Sequence, residues 1–315
     1  MMQTDVILPL VGYLLLVFGL SVYAYRRRQK GNFLNEYFIG DRSMGGFVLA
    51  MTLTATYISA SSFIGGPGRG YKSRLLVWVA SLSLLVAFIG AMTVQFIGGA
   101  RLLETAAGIP YDTGLLIFGI SIALYTSVGG FRASVLNDAM QGLVMLLGTI
   151  ILLAGVIHAA GGLHAAVDTL QNIDPKLVSP QGADDILSAP FMASFWILVC
   201  FGVIGLPHTA VRCISYKDSK AVHRAIVIGT IVVGILMFGM HLAGALGRAI
   251  LPDLKVPDLV IPTLMVKVLP PFAAGIFLAA PMAAIMSTIN AQLLQSSATI
   301  VNARYLGMRR QALKN

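Results

Sequence analysis

The chain has 315 residues, 57% of them hydrophobic and only 11% charged, with a mean hydropathy of +0.83. Soluble domains carry about 25% charged residues, so the composition excludes a soluble globular protein and specifies an integral membrane protein that lives in a lipid bilayer. The net charge of +9 does not mark a nucleic-acid binder, because the basic residues cluster beside apolar spans in the positive-inside pattern.

A helix needs about 20 apolar residues to cross the hydrocarbon core. Eight segments qualify, at about 6–25, 44–66, 75–99, 111–128, 136–159, 191–211, 225–247 and 272–301. Length and composition make all of them helical, and the alternation of a barrel strand is absent. The first span is followed by Arg26, Arg27, Arg28 and Lys30. It is therefore no cleavable signal, since the basic cluster follows the apolar run, and it places the N-terminus outside.

The second span carries the most informative stretch, Thr54–Gly68. Five Ser and Thr hydroxyls and Tyr57 lie within it, and it ends in Gly-Gly-Pro-Gly. Helix breakers and polar groups at membrane depth are tolerated only against protein or a wet cavity, and discontinuous helices build the ion and substrate sites of secondary transporters. Farther along, Asp138 is the only acid near the start of the fifth span. It reads either as a functional ionisable residue at membrane depth or as an interfacial residue paired with Arg132. The polar connection Gly161–Ala189, with Asp168, Asp174, Asp184 and Asp185, reads as an external loop. Pro252–Pro271 reads as irregular, with an amphipathic piece near Ile261–Val268 at the surface.

Gly98–Gly99 and Gly129–Gly130 read as helix-end glycines. Cys200 and Cys213 are poor disulfide partners and lack metal-ligand spacing. No phosphate-cradling loop, Cys/His cluster or nucleophile–base pair points to an enzyme or a cofactor.

Charge bias puts Arg132, the Arg212–Arg224 cluster and the C-terminal Arg304, Arg309, Arg310 and Lys314 in the cytoplasm. Two counts then collide. Gly66–Arg74 must be outside, as the exit of span two, and inside, as the entry to span three. A missing span resolves the conflict, as does a second segment that re-enters.

Several stretches together resemble the sodium:solute symporter family. They are Glu36–Gly46, Leu124–Ser134, Asn137–Gln141, Gly205–Arg212 with Lys217–Lys220, and Ala283–Ser297. Within that family Thr54–Gly68 is most similar to the pantothenate-importing members. The resemblance implies a single transporter domain over 1–315 in the bacterial cytoplasmic (inner) membrane. Its fold would be two inverted five-helix repeats, incomplete here: one helix is lacking near 68–74, and the helices after about 301 are lacking.

The resemblance also implies sodium as the coupling ion. Its oxygens would come from the carbonyls of Ala55, Ile58 and Ala284 and the hydroxyls of Ser287 and Thr288. Ala284, Ser287 and Thr288 share one helical face. The alternative for the two hydroxyls is a bond to the carbonyl one turn earlier. Asp138 would lie on the cytoplasmic sodium path. Tyr57, Ser61, Ser62, Gln95 and His208 would meet a pantothenate-like organic anion. Gln95 alternatively bonds between helices, and His208 alternatively satisfies a break in the sixth span. The expected function is sodium-coupled uptake of that anion; the competing reading is a non-transporting membrane remnant.

Overall fold

The computed structural model describes residues 4–26, 45–57, 84–179, 188–201, 206–213 and 215–312. They form helices α1 (Thr4–Arg26), α2 (Gly46–Tyr57), α3 (Leu84–Ala107), α4 (Tyr111–Ala159), α5 (Leu163–Ile173), α6 (Ala189–Phe201), α7 (Pro207–Cys213), α8 (Ser219–Ile250), α9 (Val260–Val268), α10 (Pro271–Phe277) and α11 (Ala279–Ala312). Four stretches of the described residues are long and apolar enough to cross a membrane: Ile7–Arg26, Tyr111–Ala159, Ser219–Ile250 and Pro271–Ser297. They account for the expected spans one, four, five, seven and eight. Helices α2, α3 and α6 stand where the second, third and sixth were expected, and part of each of those spans lies outside the described residues.

Spans four and five share one helical run of 49 residues, which breaks at Gly130 (φ 60°, ψ −161°). That conformation is open essentially to glycine alone. Contacts with α11 show that the chain doubles back there. Ser134 faces Asn290, yet the Tyr125 hydroxyl reaches the Met286 carbonyl. A straight helix would carry Tyr125 about 13 Å beyond Ser134, away from Met286. The run is therefore a hairpin whose two arms both lie on α11.

α11 is the central helix. Of the apolar window in Pro271–Ser297, 78% is buried, against 28–33% in the other three long spans. Those three turn Leu15, Leu116, Phe238 and similar side chains outward, where lipid covers them at no cost. Small residues permit the close approaches. A Cβ on Gly148 would stand 2.6 Å from the Ala280 side chain, and one on Gly142 2.7 Å from Met51. Helix association in lipid relies on such packing.

Four expectations need correction. Gly99 is no helix end: it lies inside α3, where a Cβ would meet the Phe118 ring at 2.5 Å. α3 runs past the expected end of span three because Arg101 pairs with Glu104 at 2.7 Å and lies over the Tyr111 ring, which accommodates the charges at its end. Gly161–Ala189 contains α5, an amphipathic helix that seats Ala166 and Leu170 against the core. The piece at Ile261–Val268 is buried instead of lying at the surface. α9 packs Val260, Ile261, Leu264 and Met265 inward, Gly247 leaves room for Leu264, and Lys267 donates to the Ile250 carbonyl at 3.0 Å.

Candidate functional site

Three of the expected sodium oxygens come together on α11. The hydroxyls of Ser287 and Thr288 each donate to the Ala284 carbonyl at 3.0 Å. The alternative reading of these hydroxyls, back-bonding one turn earlier, is thus present. The same geometry gathers three oxygens within one helical turn, all buried. A hydroxyl oxygen has two lone pairs beyond its proton, so each hydroxyl can offer its oxygen to a hard cation while its proton stays on the Ala284 carbonyl.

The other half of the expected site is on α2, which packs against α11. Ala55 and Tyr57 fall in the last turn of α2; Ile58, Ser61 and Ser62 lie outside the described residues. Gln95 is buried on α3, and His208 is buried on α7. His208 lines a pocket of about 20 Å³ with Phe131, Val211, Arg212, Ala291, Leu294 and Gln295. That is room for about one water molecule, far too little for an organic anion, and Gln95 is not part of it. Of the five expected substrate residues, Gln95 and His208 are the two whose side chains the structure describes.

Asp138 is fully buried, and its partner is Arg212 rather than Arg132, which is exposed. The Arg212 Nη2 donates to Asp138 Oδ2 at 2.7 Å and its Nε at 3.2 Å. The Thr52 hydroxyl donates to the same oxygen at 2.9 Å. Arg212 also donates to the Ser134 hydroxyl at 3.0 Å and the His208 carbonyl at 3.1 Å, and its guanidinium lies 5.9 Å from the centre of the Phe131 ring. Asn290 donates to Ser134 at 2.7 Å. Beside Asp138, Asn137 donates to Ser21 of α1 at 2.8 Å.

A buried ion pair survives only when desolvation is offset by close geometry and additional hydrogen bonds. Here α2, α4, α7 and α11 each supply a member. Asp138 Oδ1 has no hydrogen-bond partner.

Sequence reasoning missed Arg212, Thr52, Ser134 and Asn290. The charge pattern marks Arg212 as cytoplasmic, yet it is only 2% exposed. The available signal was its place four residues after His208, directly at the end of an apolar run, where an arginine is costly unless paired.

Comparison with known proteins decides what this arrangement belongs to. The sodium:solute symporter family matches residues 37–75 and 70–315. The chain belongs to the sodium:solute symporter family. It is therefore a transporter and not an enzyme, a multi-pass bacterial membrane protein with sodium as coupling ion. It is 72% identical to the sodium/pantothenate symporter of Escherichia coli (strain K12), over 100% of this chain and 75% of that relative. It is 55% identical to the sodium/pantothenate symporter of Haemophilus influenzae, with the same shares covered. Among solved structures, a sodium-coupled sialic acid symporter in a substrate-bound outward-open state matches with TM-score 0.72 and 18% identity. That match covers 93% of this chain and 73% of the other, and it bears on the fold alone. The helical transporter fold expected from the sequence is thereby borne out.

Proposed function

We propose that the chain imports pantothenate across the bacterial cytoplasmic membrane, driven by sodium entering with it. The observation that carries this reading is the 72% identity to a sodium/pantothenate symporter over the whole chain. The remnant reading is not favoured, because both of the similar relatives are named as transporters.

The mechanism follows from the chain's own oxygens. Sodium enters between α2 and α11, taking the carbonyls of Ala55, Ile58 and Ala284 and the hydroxyls of Ser287 and Thr288. Holding both helices at once, the ion fastens the last turn of α2 to α11. Tyr57, Ser61, Ser62, Gln95 and His208 then offer hydroxyl, amide and imidazole groups to the amide, hydroxyls and carboxylate of the substrate. Asp138 lies on the cytoplasmic path of the ion, its charge balanced by Arg212 until sodium passes. Uptake of labelled pantothenate in cells lacking their own carrier tests the reading, with Ser287→Ala and Thr288→Ala raising the sodium requirement.

The membrane topology belongs to the same proposal. The N-terminus is external, the C-terminus cytoplasmic, and one helix is absent at 68–74. Two observations support the absence. The alignment to the Escherichia coli relative runs over 362 positions against 315 residues here, so about 47 positions have no counterpart in this chain. The family match also divides into two pieces that meet at residues 70–75. That length is enough for a helix of about 20 residues with its connections.

A further inference from the structure

Tyr125 and Met286 are 161 positions apart, yet the Tyr125 hydroxyl donates to the Met286 carbonyl at 3.0 Å, with both residues buried. A buried phenol needs a partner. This one is a backbone carbonyl between Ala284 and Ser287, in the turn that carries the proposed sodium oxygens. Inside a regular helix that carbonyl already accepts the N–H four residues on, so the phenol takes its second lone pair.

A second fastening comes from the other arm of the α4 hairpin. Asn290 donates to Ser134 at 2.7 Å, and Ser134 also accepts from Arg212, the partner of Asp138. The two fastenings are four residues apart on α11, about 6 Å along its axis, and Ser287 and Thr288 lie between them. The reversal at Gly130 is what allows both arms to reach the same turn.

We propose that Tyr125 is a positioning residue for sodium. By holding the Met286 carbonyl it fixes the rotation and height of the Ala284–Thr288 turn, with Ser134–Asn290 as the second fastening. The inference rests on the sodium role proposed for Ala284, Ser287 and Thr288. Tyr125→Phe keeps the ring and its packing but releases the turn, so the ion itself must then order the oxygens.

Sodium-dependent uptake of labelled pantothenate tests this in the full chain. Tyr125→Phe raises the half-saturating sodium concentration about three- to tenfold, the worth of one net hydrogen bond. Uptake at saturating sodium and the amount of protein in the membrane stay near those of the parent. An unchanged sodium requirement in protein that reaches the membrane overturns the proposal.

Ser287→Ala is the companion. If it shifts the sodium requirement and Tyr125→Phe does not, the positioning role alone falls. If neither shifts it, the sodium reading falls and the positioning role with it. Should Tyr125→Phe fail to accumulate, Asn290→Ala loosens the same turn from the other side. The same rise is expected there, and no rise counts against the proposal.

Discussion

At the scale of single residues, the Asp138–Arg212 pair carries the largest energies. Removing one partner leaves the other charged and buried, which costs about 3–5 kcal/mol, whereas replacing both by apolar residues is often neutral. Arg212→Leu and Asp138→Leu are therefore each expected to lower the thermal stability of the detergent-solubilised protein sharply. The double variant is expected to recover most of the loss, since residues in direct contact are not additive. Sodium-driven uptake is expected to stay low in the double variant, because stability is restored without the carboxylate proposed for the ion's path.

How far these residues were legible in the sequence depended on what each one needs. Ala284, Ser287 and Thr288 are local: their spacing along one helix already places them together, and the structure has them so. The partner of Asp138 is not local. Arg132 is six residues away and Arg212 is 74, and only the packing of α7 on α2 and α11 selects the distant one. Arg212 also sits where a cytoplasmic flanking charge is expected, so its burial leaves no trace in the charge pattern.

Among the elements, the α4 hairpin is the one on which the site depends. Gly130 has φ 60° and ψ −161°, so Gly130→Ala imposes about 1–3 kcal/mol of backbone strain. The expected result is a lower melting temperature together with a raised sodium requirement, because one arm bonds Met286 within the Ala284–Thr288 turn and the other bonds Asn290 just beyond it. A melting shift with unchanged sodium dependence would show that the reversal serves folding only. Gly148 makes a complementary test. Gly148→Val drives a branched side chain into Ala280, already 2.6 Å from a Cβ, and separates α4 from α11. Sodium-driven uptake is expected to fall even where protein reaches the membrane.

The hairpin was half legible. Two apolar runs round a Gly-Gly and an arginine indicated two spans, as found, but the pair of glycines at 98–99 invited the same reading wrongly. Nothing local distinguishes a glycine that reverses the chain from one that admits Phe118. Likewise α9 has the period of a surface helix, and only the packing of α8, α3 and α4 around it makes it core.

For the molecule as a whole, topology and transport are the two questions. Arg26–Lys30 and Arg212–Arg224 are both expected in the cytoplasm, yet five expected spans lie between them, an odd number. With the helix after Gly68 absent, as proposed, Arg69, Lys72 and Arg74 are expected on the cytoplasmic side as well. Reporter fusions after Lys30, within 69–74 and after Lys220 should therefore all report the cytoplasmic side; an external report from the middle fusion would contradict that topology. The charge pattern exposes this conflict without any relative to compare, because parity is a global property that a single absent helix must violate.

The central claim is sodium-coupled import of pantothenate by this polypeptide. It is tested most directly by uptake of labelled pantothenate into cells that lack their own carrier, measured with sodium and with sodium replaced by potassium. The account predicts accumulation that requires sodium and that collapses when the sodium gradient is dissipated. Uptake that is absent, or equal in the two salts, would contradict it.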